Sequence, residues 1–171
     1  NNQGAFVFWN HPNWVENRDD AIARFDDLHK KLLRKKLFHG IEVVNEHTYS
    51  EEALALALDN DLTIMGTSDI HGLINWTFEK EKNYHRPVTF IISDNITKAS
   101  IKDALFAQKT FVWHRDMLIG KEENILPIMN ENITVTSNGY YKKIVTIKIS
   151  NSGIVPLKLK YTGDYTFHSN G

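Results

Sequence analysis

The chain has 171 residues, 42% of them hydrophobic and 24% charged, the balance of a folded globular protein and not of a disordered one. Its 20 basic and 21 acidic side chains leave a formal net charge of -1, so no overall field draws in nucleic acid or an anionic membrane, and any phosphate-bearing substrate must be held locally. The absence of cysteine excludes a disulfide framework, a thiolate zinc site and a cysteine nucleophile, which leaves His, Asp and Glu as the metal ligands on offer.

The first residues, Asn1-Asn2-Gln3, contain no Met and run almost directly into a strand, so a piece of a longer protein is expected. Gly4 to Trp9 is a continuous apolar run rich in aromatic residues, which predicts a strand buried on both faces and ending at Asn10-His11-Pro12. From Arg18 to Phe38, Ala21, Ile22, Phe25, Leu28, Leu32 and Leu33 recur at helical spacing, with Asp19 and Asp20 at one end and Lys35 and Lys36 at the other. That pattern predicts one long amphipathic helix, whose lysines and arginine read as its solvated face and not as a nucleic-acid patch.

Ile41 to Val44 is the next predicted strand, and Ser50 followed by Glu51 and Glu52 predicts an N-cap and acidic first turn for a helix through Ala53 to Leu58. Leu62 to Met65, Val88 to Ile92 and Thr110 to Trp113 read as further strands, and Thr97 to Gln108 as a helix. The alternation implies a parallel sheet. Beyond Lys121 the pattern becomes two-residue alternation: Ile133 to Thr136 and Lys142 to Ser150 predict a hairpin about Ser137-Asn138-Gly139, and Leu157 to Tyr161 a further strand. The expected organisation is residues 1–123 as one domain and 124–171 as a small, truncated, β-sandwich-like domain. No apolar run reaches the roughly 18–20 residues of a membrane-spanning helix.

In parallel sheets, catalytic groups gather where strands run out into loops that precede helices. Three successive predicted strands end in polar residues: Asn10-His11, then Asn45-Glu46-His47, then Thr67-Ser68-Asp69-Ile70-His71. In an extended segment alternate residues face one way, so Asp69 and His71 can present a carboxylate oxygen and an imidazole nitrogen together, donors that suit Zn, Mn or Fe. The same residues have blander uses, Asp69 as a turn former and His71 as a loop imidazole. His29 and His39 sit on or just after the long predicted helix and read as structural.

The motifs NHP after an apolar strand, GIEVVN as the next strand and GTSDIHG after a third resemble the later motifs of the PHP (polymerase and histidinol phosphatase) superfamily. The segment from His85 to Glu123 resembles the end of that domain in a phosphodiesterase-like branch, where a small β domain follows. The resemblance covers residues 4 to 123. It implies an α/β fold, the C-terminal portion of a distorted seven-stranded barrel, and two or three divalent metal ions (Zn, Mn or Fe) at the strand ends. It matches His11, Asp69 and His71 to metal ligands, Asp69 with a further part in taking a proton. The family's earlier His and Glu motifs have no counterpart here, so the missing N-terminal half of the barrel is expected to complete the metal shells, and this chain alone is expected to bind metal and catalyse weakly.

The resemblance further implies a metal-dependent phosphoesterase acting on a small phosphorylated substrate. Arg86 and Arg115 are the candidate cations for its non-bridging oxygens, with Arg86 favoured, and Asn45, Glu46 and His47 are candidates to support the ligands or touch substrate. Two rivals stay open: a metal-dependent hydrolase of an amide or another ester, and a non-catalytic scaffold whose β domain binds a partner through Tyr140, Tyr141, Tyr161 and Tyr165. Relatives in the branch often look exported, but the residues themselves fix no location.

Overall fold

A computed structural model describes residues 3–78, 85–153 and 155–168. In chain order the elements are β1 (Phe8–Trp9), α1 (Asp27–Arg34), β2 (Gly40–Asn45), β3 (Thr48–Tyr49), α2 (Glu51–Asp59), β4 (Thr63–Thr67), α3 (Ile74–Phe78), β5 (Val88–Ile91), α4 (Lys98–Phe106), β6 (Thr110–His114), β7 (Met117–Gly120), α5 (Glu122–Asn132), β8 (Ile133–Tyr141) and β9 (Ile144–Asn151). No described helix is long and apolar enough to cross a membrane.

The first sheet is built on β2. β1 and β4 run parallel to it on opposite edges, Ile41 pairing with Trp9 on one side and Ile64 on the other, and β3 turns back antiparallel at the Val44–Asn45 end. β2 is the most buried strand because Ile41, Val43 and Val44 lie between helices and neighbouring strands. They join Ala53 and Ala57 of α2, Phe38, Leu62, Ile64, Val112 and Ile119 in one core cluster. α2 forms where expected, with the Ser50 hydroxyl accepting from the Ala53 N–H at 3.2 Å as a cap.

The second sheet, β5-β6-β7, is antiparallel throughout, which corrects the expectation of a single parallel sheet. For β7 the reason is the connection: β6 reaches it through Arg115-Asp116 alone, with Arg115 at φ 56°, and a link that short can only reverse the chain, while β5 and β6 pair antiparallel across the longer connection that holds α4. Threonine hydroxyls tie the two sheets together. Thr110 Oγ1 donates to Ile64 O at 2.8 Å, and Thr89 Oγ1 donates to Gly66 O and accepts from Gly66 N, each at 2.8 Å. The described strands are therefore two joined sheets, mixed and antiparallel, in an α/β chain.

Four other expectations change. Only Phe8–Trp9 of the first apolar run is strand. It is half-buried and not covered on both faces: Phe8 and Trp9, whose side chains point to opposite faces, are both partly exposed, and Val7 before them is exposed. The long helix shrinks to Asp27–Arg34: Asp20 Oδ1 accepts from Ile22 N at 3.1 Å and Ala21 takes φ 55°, so the early aspartate makes a turn instead of a first helical turn. The hairpin turn lies at Lys142-Lys143, while Ser137 to Tyr140 is a register shift in which Gly139 adopts φ 85°. Leu157 to Tyr161 forms no strand and pairs with none of the described strands.

Candidate active site at the strand ends

The parallel run of β1, β2 and β4 carries their C-terminal ends to one side of the sheet, as the register of Trp9 beside Ile41 and of Asn45 beside Thr67 requires. The residues that follow those ends line a cleft of about 600 Å³ formed by His11, Asn13, Trp14, Val15, Ala21, Asn45, Glu46, Thr48, Asp69 and His71. The backbone is strained here. Of nine described non-glycine residues with positive φ, four (His11 at 53°, Ala21 at 55°, Glu46 at 51° and Asp69 at 46°) line this cleft. Such conformations persist where surrounding structure holds them, and they concentrate at functional sites.

Asp69 Oδ1 lies 3.4 Å from His71 Nε2 and 3.7 Å from His11 Nε2. The chain does not run extended through Asp69, as the alternation rule assumed; its left-handed backbone turns the segment, and the carboxylate and imidazole still meet. The His71 side chain is 90% exposed and the Asp69 side chain 33%, so both are open to solvent at the cleft.

Behind His11 sits a residue that the sequence reading passed over. Glu42, in the middle of β2, is 1% exposed. Its Oε2 accepts from His11 N at 2.6 Å and lies 3.2 Å from His11 Nδ1. Its Oε1 accepts from the Thr67 hydroxyl and, at 3.4 Å, from Asn45 Nδ2, which itself lies 2.9 Å from His11 Nδ1. The available signal was a single carboxylate inside the apolar run GIEVVN, since a buried charge in a core strand needs a reason.

The other expected residues divide. Asn45 and Glu46 line the cleft. His47, Arg115 and Arg86 do not: His47 packs its ring 5.1 Å from Phe78, Arg115 donates to His47 O at 3.3 Å, and Arg86 is exposed beside His85. His39 Nδ1 accepts from Val7 N at 3.0 Å, and His29 stacks 4.0 Å from Trp9 while bonding Asp26, so both hold structure together.

Two imidazole nitrogens and a carboxylate oxygen are a donor set for zinc, manganese or iron. Ligands about 2.1 Å from a shared tetrahedral ion stand roughly 3.4 Å apart, close to both separations involving Asp69. Yet among the described residues no group of three or more His, Cys, Asp or Glu converges to hold an ion. The pairs fit a metal; a full coordination shell is not assembled by these residues.

No protein-family model matches the chain, and no curated protein matches it. A solved structure does. The crystal structure of a two-domain protein from Bacteroides vulgatus containing a predicted PHP-like metal-dependent phosphoesterase is 35% identical in sequence, with a TM-score of 0.80, over 88% of this chain and 43% of that one. The chain thus shares the fold of part of that protein and spans less than half of its length.

Proposed function

We propose that this chain contributes one wall of the active site of a metal-dependent phosphoesterase, in which a phosphoester bond is cut by an activated water. The observation that carries the proposal is that Asp69 stands within metal-ligand spacing of His71 on one side and of His11 on the other, where two strand ends meet. The 35% identity to a protein containing a predicted PHP-like phosphoesterase supports the choice of bond. A divalent ion bound there would lower the pKa of a bound water and stabilise charge on the phosphoryl oxygens.

The chain's own residues do the rest. His11 and His71 offer Nε2 lone pairs and must stay neutral to do so. Asp69, which lines the cleft, offers Oδ1, and its carboxylate is the group on hand to accept the proton of an attacking water. Trp14 and Val15 give the cleft an apolar part of its lining. Arg86 and Arg115 stand off the cleft and are given no part.

The test is zinc and manganese binding by calorimetry, together with hydrolysis of a chromogenic phosphodiester and its monoester, for the chain and for Asp69→Ala and His71→Ala. Metal-dependent turnover is expected, slow because the described donors do not complete a shell, and lower by about 100-fold or more in both variants. Metal binding and turnover left unchanged by both Asp69→Ala and His71→Ala in the folded chain would refute the proposal.

A further inference from the structure

Glu42 poses a physical problem that the fold does not solve by itself. A carboxylate 1% exposed in the core strand carries a desolvation penalty of several kcal/mol unless donors surround it. No described lysine or arginine pairs with it; its partners are the Thr67 hydroxyl, the Asn45 amide, and the backbone N–H and ring of His11. One oxygen, Oε2, is thus devoted to His11 alone, through the 2.6 Å backbone bond and the 3.2 Å approach to Nδ1.

A neutral imidazole carries one proton, and its place decides what the ring can do. With the proton on Nε2, His11 would direct an N–H at Asp69 and could not ligate there. With the proton on Nδ1, the Nε2 lone pair faces Asp69 Oδ1 across 3.7 Å. Two groups compete at Nδ1: Asn45, whose Nδ2 at 2.9 Å would donate to a bare nitrogen, and Glu42, which would accept from a protonated one. The carboxylate prevails, because hydrogen bonds to a charged partner are roughly twice as strong as neutral ones. Asn45 can follow by a 180° turn of its amide that sets the oxygen on the ring, at the loss of the long 3.4 Å contact from its Nδ2 to Glu42 Oε1, which leaves Glu42 the Thr67 hydroxyl and His11 as partners.

We infer that Glu42 is a positioning residue that keeps the His11 proton on Nδ1 and so presents Nε2 to the metal side of the cleft. The inference rests on His11 being a metal donor, as proposed above, but its primary readout does not. Nitrogen-15 NMR of the metal-free chain, with His11 assigned through His11→Asn, is expected to show the Nδ1-protonated tautomer. Glu42→Gln, which keeps shape and removes charge, shifts the population toward Nε2-H and weakens zinc affinity about 10- to 100-fold. An Nε2-H tautomer in the wild-type chain, or a Glu42→Gln variant with tautomer and zinc affinity unchanged, overturns the inference. Should Glu42→Gln not fold, Asn45→Ala decides: removing the competing amide leaves Nδ1-H in place if Glu42 governs, and a switch to Nε2-H refutes it. A chain that binds no zinc at all defeats the metal proposal alone, and the tautomer still decides this one.

Discussion

His114 shows how one buried side chain ties stability to pH. It ends β6 with 1% of its surface exposed, and its Nδ1 has no hydrogen-bond partner among the described residues. Burial lowers its pKa from the ordinary imidazole value of 6.5 to about 4, with Arg115, His85 and His47 pushing the same way and Asp116 opposing. Below 6.5 the unfolded chain takes up a proton that the folded chain refuses until about pH 4, so the contribution is complete above 6.5 and is lost as the pH falls through that window. Denaturant titrations between pH 7 and pH 4 are expected to show falling stability, by up to about 3 kcal/mol from this residue. His114→Leu should flatten the slope. An unchanged slope in that variant would mean that other groups carry the acid sensitivity.

Among the elements, β4 is the hinge on which the two sheets are joined, and its glycine is the reason they approach so closely. A Cβ on Gly66 would stand 2.5 Å from Val112 Cγ1, in a part of the core where Val112 is fully buried and has nowhere to retreat. Gly66→Ala is therefore expected to destabilise the fold by about 1–3 kcal/mol, read as a lower denaturation midpoint. Val112→Ala in the same chain should restore part of that loss by opening space for the methyl group. Local sequence rules performed unevenly at this scale. The Ser50 cap was legible because a side chain bonding its own helix is a local event. The start of α1 was not, since Asp20 had two local options, helix start or turn, and the Arg24 partner that bonds both its oxygens belongs to the turn.

At the scale of the molecule, burial is uneven. β2 and β4 lie in the core, whereas β8 and β9, among the described residues, pair only with each other and leave Tyr140, Tyr141, Val135, Ile144 and Val145 exposed. Two-stranded ribbons without a covered face are marginal in water. Hydrogen exchange on the chain should find the amides of β2, β4 and β6 the slowest and those of the hairpin faster by orders of magnitude. Equal protection in both regions would contradict that picture.

The sequence by itself determined which residues could meet. An apolar strand must end in a polar loop, and parallel strands put such ends on one side, so His11, Asn45, Glu46, Asp69 and His71 were legible as neighbours of one cleft. It also determined the chemistry on offer, imidazole and carboxylate with no thiol. Tertiary structure alone decided the rest. Strand periodicity does not say what lies beyond a buried face, so Glu42 read as one residue of an apolar strand until His11, 31 positions away, was found against it. Strand direction depends on how a connection closes in space, so the antiparallel second sheet waited on the turn at Arg115 for β7 and on the path through α4 for β5 and β6. The exclusion of Arg86 and Arg115 from the cleft has the same cause: a guanidinium's charge is written in the sequence, and the direction in which its long side chain reaches is set by what packs around it.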